Sequence, residues 1–154
     1  MDSSMQNKTM RSEEVEARYL LFRLDGQMFG LPIASVMQII QMQDILRVPQ
    51  SPVYEKGVIH LRGSIIPVTD ARLRLGKSEA PYTDRTCILV CSILGKTVGL
   101  IVDDVEEVAQ IDGADIAPPP DMEALSSAYL LGVAKTGAGM VLLLNAERLW
   151  QRSV

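Results

Sequence analysis

Four stretches of the chain carry residue types that could do chemistry: Cys87 and Cys91 in TCILVCSI, the acids Asp103, Asp104, Glu106 and Glu107, the glycines of GAG at 137–139, and Arg62 with His60 in GVIHLRGSIIPV. The cysteines sit four apart on an aliphatic run that reads as a buried strand, which separates their Cα atoms by about 13 Å, beyond the ~7 Å limit for a disulfide. They are expected to be reduced packing residues. With a single histidine in the chain, C-x3-C falls short of the four convergent ligands of a structural zinc site, so no metal is expected. Adjacent acids point to opposite faces of a strand, or diverge on a helix, and do not converge on one substrate. They read as solvated charges that guard a sheet edge. The GAG stretch lacks the G-x-G-x-x-G spacing of a nucleotide loop, and no cofactor is expected. The sequence places no Ser or Cys beside His60 to make a nucleophile pair; a packed, neutral histidine is expected there. No catalytic centre emerges. Arg62, an arginine in the first turn of an apolar strand pair, is left needing a reason.

The whole-chain balance narrows that reason. The 154 residues are 47% apolar with a formal net charge of −4, enough to bury a substantial core without staples. A net acidic chain is ill suited to polyphosphate, whose binding draws on clustered Lys and Arg. The N-terminal MDSSMQNKTMRSEEVEA has no apolar segment, and the longest aliphatic run, Met140 to Leu144, is far short of the roughly 20 residues of a membrane helix. A cytosolic protein with no nucleic-acid partner and no membrane insertion is predicted.

Residues 1–17 are polar, lack periodicity and are predicted to be a flexible tail, and 151–154 a short C-terminal end. Between them, from Arg18 to Trp150, apolar runs of four to eight residues alternate with glycine and proline, as in RYLLFRLDG, SIIPV, KTVGLIV and MVLLLN. That spacing predicts small barrels or sandwiches rather than a helical bundle. Short helices are predicted near Ile33 to Val36, from Pro52 to Leu61 and over Ala146 to Trp150, with Asp70 or Asn145 placed to cap a turn.

The chain also repeats itself. An offset of 69 aligns LDGQMFGLPIASVMQI with ILGKTVGLIVDDVEEV, matching Gly30 to Gly99 and Val36 to Val105; an offset of 75 aligns YEKGVIHLRG with YLLGVAKTGA and Asp70-Ala71 with Asn145-Ala146. Two blocks recurring in one order predict a duplicated all-β unit, with halves near 18–82 and 83–150. Where the first copy has Arg62, the second has Gly137, so the arginine is a specialisation of one copy.

These stretches resemble the CheW-like adaptors of bacterial chemotaxis. The likeness lies in GL-x-I-x-x-V at Gly30 to Val36, KGV-x-x-LRG-x-I-x-PV-x-D-x-R at Lys56 to Arg72, G-x-x-VGL-x-V-D-x-V at Gly95 to Val105, the prolines at 118–120, and YL-x-G at Tyr129 to Gly132. The resemblance implies a single CheW-like domain over 18–150, made of two intertwined SH3-like five-stranded β-barrels side by side, without catalysis. It implies coupling of chemoreceptor cytoplasmic tips to the regulatory domain of a CheA-type histidine kinase, in receptor arrays at the membrane. By the same resemblance Ile33, Val36, Gln38 and Arg62 match receptor-contacting positions, and Ile40, Asp44, Ile45, Lys56 and Gly57 match the kinase-facing region.

The residue types suit such a role. A two-helix tip laid in a groove asks for aliphatic walls and an oriented donor at the rim, and arginine offers a rigid five-donor fork. Aliphatic spacing alone does not separate a groove wall from a core face at Ile33 and Val36. Two positions depart from the family pattern: His60 stands where many members have Asn, and Ala117 and Met122 occupy neighbourhoods where some members carry a basic and an aromatic residue for building rings with the kinase. The other functional class open to the sequence is a small-molecule-binding β-barrel using the cleft between the copies.

Overall fold

Two-residue turns with both backbones in the left-handed region fold the chain into hairpins. They fall at Asp25-Gly26 (φ 54° and 76°), Arg62-Gly63 (49° and 81°) and Leu94-Gly95 (51° and 77°), the conformation whose twist matches that of paired strands. The computed structural model describes residues 18–119 and 128–150. Its strands are β1 (Arg18–Leu24), β2 (Gln27–Pro32), β3 (Val36–Gln41), β4 (Glu55–Leu61), β5 (Ser64–Asp70), β6 (Cys87–Ile93), β7 (Lys96–Val102), β8 (Asp104–Gln110), β9 (Ile116–Ala117), β10 (Leu130–Thr136) and β11 (Gly139–Leu144). Short helices α1 (Ala71–Arg74) and α2 (Ala146–Trp150) follow β5 and β11. The expectations for the 1–17 tail, Pro120, Met122 and 151–154 concern residues outside those described.

The strands form two sheets, in the orders β3-β6-β7-β5-β4 and β8-β1-β2-β11-β10-β9. The first curls closed through a bridge between Leu46 and Val58, making barrel one; the second makes barrel two. Each barrel takes a hairpin from the other half of the chain. β6–β7 lies in parallel beside β5, with Val68 opposite Gly99, and β2 lies in parallel beside β11, with Leu143 opposite Gly30. Those two pairs are related by the offsets of 75 and 69. Even the irregularities repeat: the bulge between Val36 and Gln38 recurs between Val105 and Glu107, and the one between Glu55 and Gly57 recurs between Leu130 and Gly132.

Three apolar clusters hold this arrangement. Ile59, Ile66, Val68, Ile88, Val90 and Ile101 fill barrel one, and Tyr19, Leu21, Met28, Ile111, Ala134, Val141 and Leu143 fill barrel two. The largest cluster joins Leu20, Phe22 and Leu31 of one sheet to Leu89, Leu100 and Val102 of the other, and is the seam between the barrels. A strand buried on both faces serves a barrel interior and the seam at once, which is why β1, β6 and β7 are nearly continuous aliphatic runs.

Two expectations are corrected. Pro52 to Leu61 is not a helix: β4 occupies Glu55–Leu61, because β-branched Val58 and Ile59 pair with β5 and Gly57, at φ 139°, lets the Leu46 backbone close the barrel against it. His60 is exposed rather than packed, since the alternation of β4 buries its neighbour Ile59. The 3₁₀ turn at Ile33–Ser35 and helix α2 agree with the other two predicted helices. Both proposed caps are made: the Leu73 N–H donates to Asp70 Oδ1 at 3.2 Å and the Arg148 N–H to Asn145 Oδ1 at 3.2 Å.

Candidate functional site: two apolar surfaces on one frame

The residues singled out from sequence divide by the cluster they lean on. Ile33, in the turn that follows Pro32, and Val36, at the head of β3, are half-buried against the seam. Val105 joins them there. It is the repeat partner of Val36, so the duplication already marked it, yet sequence reasoning did not place it in the site. Ile40 and Ile45 lean instead on the interior of barrel one, together with Met42 and Leu61. Seam and barrel one thus hold separate apolar clusters, each with its own half-buried margin.

β3 links them. Its bulge at Met37 offsets the pairing with β6, and beyond it Gln38 and Ile40 are half-buried while Met37 and Ile39 face outward, 58% and 47% exposed. The strand carries no charge along VMQIIQ and nothing pairs with its outer edge among the described residues. Such an edge is normally blunted by charge or covered by a neighbour.

Lys56 and Gly57 act through geometry. The Lys56 ammonium pairs with Glu79 and its side chain is only 13% exposed, so it ties the segment after α1 to β4 rather than standing free. A Cβ at Gly57 would collide with the Leu46 carbonyl; the glycine is what permits the 42–47 segment to lie on β4. That closure sets out Asp44 and Leu46, both exposed, with Ile45 turned inward.

Arg62 is exposed at the tip of the β4–β5 hairpin, and no hydrogen bond or ion pair joins its guanidinium to another described residue. It follows Leu61, so it stands at the barrel-one end, not in one side-chain cluster with Ile33 and Val36. Its φ of 49° costs a non-glycine residue about 1 kcal/mol. The copies do not share this turn geometry, for in the β10–β11 hairpin the left-handed φ falls on Gly139. The fair comparison is with Asp25 and Leu94, which hold Arg62's position in the other two left-handed turns. Three unrelated side chains there show that the turn does not ask for arginine.

Several other polar groups tie elements of the fold together. Arg72 of α1 donates to Asp103 at 2.5 to 3.0 Å and reaches Asp25 at 3.6 Å, while the Asp25 N–H donates to Asp103 Oδ2 at 2.8 Å. Partial burial pushes the Asp103 carboxyl up, but the bonds from Arg72 and the Asp25 N–H outweigh it and hold its pKa below the ordinary value. Asp104 meets Arg85 and Glu106 meets Arg23, so these acids serve ion pairs rather than a shared substrate. Burial raises the Cys87 thiol to about 11 and the Cys91 thiol to about 12, far from the thiolate a nucleophile or metal ligand needs. Among the described residues no group of three or more His, Cys, Asp or Glu could hold a metal, and no helix is long and apolar enough to cross a membrane.

Comparison with known proteins matches residues 18–154 to the CheW-like domain. The chemotaxis protein CheW of Klebsiella aerogenes is 30% identical over 141 residues, spanning 91% of this chain and 85% of its own. A probable chemotaxis protein CheW of Rhizobium etli is 33% identical over 135 residues, 87% of each chain. Among solved structures, that of the scaffolding protein TtCheW from Thermoanaerobacter tengcongensis has a TM-score of 0.82 at 33% identity and covers 90% of both chains.

Proposed function

The chain belongs to the CheW-like family, and from its two apolar surfaces we propose that it is a non-catalytic chemotaxis adaptor joining chemoreceptor cytoplasmic tips to a CheA-type histidine kinase. The observation that carries the reading is the division of apolar side chains between seam and barrel end. A protein that must hold two partners at once needs two separate faces, and Ile33, Val36 and Val105 lie on one cluster while Ile40, Met42, Ile45 and Leu61 lie on another. In this reading the receptor's helical tip lies along the seam, with Gln38 and the exposed face of β3 beside it. The kinase regulatory domain meets the end of barrel one, where Asp44 and Leu46 are exposed and Lys56 and Gly57 shape the surface from below.

Arg62 supplies an oriented donor at the end of barrel one, apart from Ile33 and Val36. A strained arginine, unpaired among the described residues and on a turn that any of several side chains can make, is better explained by a partner than by the fold, and arginine is over-represented among residues that carry binding energy. The adaptor acts in the cytoplasm and is drawn to the membrane by the receptors it binds. Rings built with the kinase through barrel two would rest on a surface where Ala117, exposed on β9, stands in place of a basic residue.

The test is a titration of the full chain with a purified kinase regulatory domain and, separately, with a receptor-tip helical hairpin. Binding of both, without competition, is expected; failure to bind either, or mutual exclusion, would contradict the reading. A second reading, a small-molecule-binding barrel, rests on an open groove of about 550 Å³ whose lining includes Val48, Val58, Leu94, Val98, Lys96 and Trp150. A metabolite that raises the melting temperature would favour it, whereas an adaptor should respond to its protein partners.

A further inference from the structure

The repeat offset of 75 pairs Tyr54 with Tyr129 and Arg74 with Leu149, and all four meet at one point. The Arg74 guanidinium lies 4.4 Å from the Tyr54 ring centroid and 4.8 Å from that of Tyr129, and its Nε donates to the Leu149 carbonyl at 2.7 Å. Residues that are equivalent in the two copies touch each other only on the axis that relates the copies. Arg74 therefore sits on that axis, buried between the two halves.

The surroundings fit a buried cation. Two aromatic faces and a carbonyl compensate the loss of water around the guanidinium. A second arginine at Leu149 would set two cations against each other, so symmetry has to be broken here. The tyrosines are anchored in turn: the Asp70 N–H donates to the Tyr54 carbonyl at 2.8 Å and the Asn145 N–H to the Tyr129 carbonyl at 2.7 Å. Asp70 and Asn145 are the capping residues of α1 and α2, so one guanidinium ties together both caps. Tyr129 also leans on the seam cluster that carries Ile33, Val36 and Val105, whereas the interior of barrel one contains none of these residues.

We propose that Arg74 is a positioning residue that seats the two barrels against each other, so that docking along the seam depends on it while docking at the end of barrel one does not. This rests on the adaptor reading above. Arg74 acts through Tyr129 and the seam.

The test uses the full chain with Arg74→Leu, which reproduces the Leu149 side chain at both positions, and Arg74→Lys, which keeps the cation but loses the planar fork. Calorimetry gives the affinity of each for the receptor-tip hairpin and for the kinase regulatory domain. Arg74→Leu is expected to weaken hairpin binding by ~10-fold or more and kinase binding by less than ~3-fold, with Arg74→Lys falling between it and the parent. A general loss of folded protein would lower both affinities by the same factor. Equal factors, or no change in either, would overturn the proposal. Should Arg74→Leu fail to fold, Arg74→Lys carries the same comparison: a selective loss of hairpin binding upholds the proposal, and equal or absent losses overturn it. If the parent chain bound neither partner, the adaptor reading would fall; if the parent bound both and the ratio did not move, only the role of Arg74 would.

Discussion

β3 and β8 are the same strand built twice. Each pairs with an equivalent neighbour, each carries its bulge at the same repeat position, and each presents a half-buried valine, Val36 or Val105, to the seam. Their outward faces differ. The bulge residue is exposed Met37 in β3 and Glu106 in β8, where it pairs with Arg23 at 2.6 Å; Gln38 is matched by Glu107. Backbone that recurs with different side chains separates what the fold needs from what one copy does. The bulge, the valine and the close-approach glycines belong to the fold, and the uncharged face of β3 is particular to the first copy, where the proposed receptor surface lies.

The most severe challenge to that division is to attack what both copies share. Gly57 and Gly132 each admit a neighbouring backbone, Leu46 in one case and Ala117 in the other, that a Cβ would strike. Gly57→Ala and Gly132→Ala should each destabilise the chain by about 3 kcal/mol, the upper end of ordinary single substitutions, measured by urea unfolding. A loss below about 1 kcal/mol would mean the 42–47 segment moves aside at little cost. Any substitution at Gly57 consequently reports on the fold before it reports on the proposed kinase surface.

Exchanging the two outward faces isolates function. Met37→Glu makes β3 resemble β8 and should weaken receptor-hairpin binding by ~10-fold, about 1.4 kcal/mol, with little change in stability because the side chain is exposed. Glu106→Met, the reciprocal change, should leave that affinity within ~2-fold and cost under about 1 kcal/mol, the worth of an exposed ion pair. Equal effects of the two on hairpin binding would remove the distinction.

The left-handed turns give a smaller effect on stability. Arg62→Asn and Leu94→Asn both place a residue that tolerates φ near 50°, and both should stabilise by roughly 0.5 kcal/mol. Only Arg62→Asn should abolish receptor control of the kinase in a reconstituted assay. Destabilisation by Arg62→Asn would show that the arginine serves the fold.

Smallest of all is the pH dependence of the Arg72–Asp103 tie, which the second copy lacks because Glu147 stands at the position of Arg72. Asp103 has a depressed pKa in the folded chain, so its stabilisation is present above its ordinary 3.8 and is lost as pH falls through the lower folded value. Asp103→Asn should lower stability at neutral pH and flatten its decline below about pH 4. A decline as steep as the parent's would assign acid sensitivity to other groups.

Much of the architecture was legible because duplication writes the same local physics twice. Gly30 and Gly99, the two offsets and the capping residues Asp70 and Asn145 follow from turn chemistry and alternation within short windows. Helix at Pro52 to Leu61 was misread because Gly57 owes its place to a contact with Leu46, eleven residues away, which no local pattern contains. The division of Ile33 from Ile40 was hidden for a similar reason: both are aliphatic residues in or beside one strand, and only the exchange of hairpins sends one to the seam and the other to a barrel. His60 departed from expectation because single-residue character said nothing of which way β4 would face.

If the molecule is an adaptor, the seam and the end of barrel one receive different partners. Methyl NMR of the full chain, titrated first with the receptor-tip hairpin and then with the kinase regulatory domain, reads both surfaces in one sample. The hairpin is expected to shift Ile33, Val36 and Val105 and to leave Ile45 and Leu61 in place, and the kinase domain to do the reverse. A single partner shifting both sets, or the kinase domain shifting the seam set alone, would refute the two-surface adaptor.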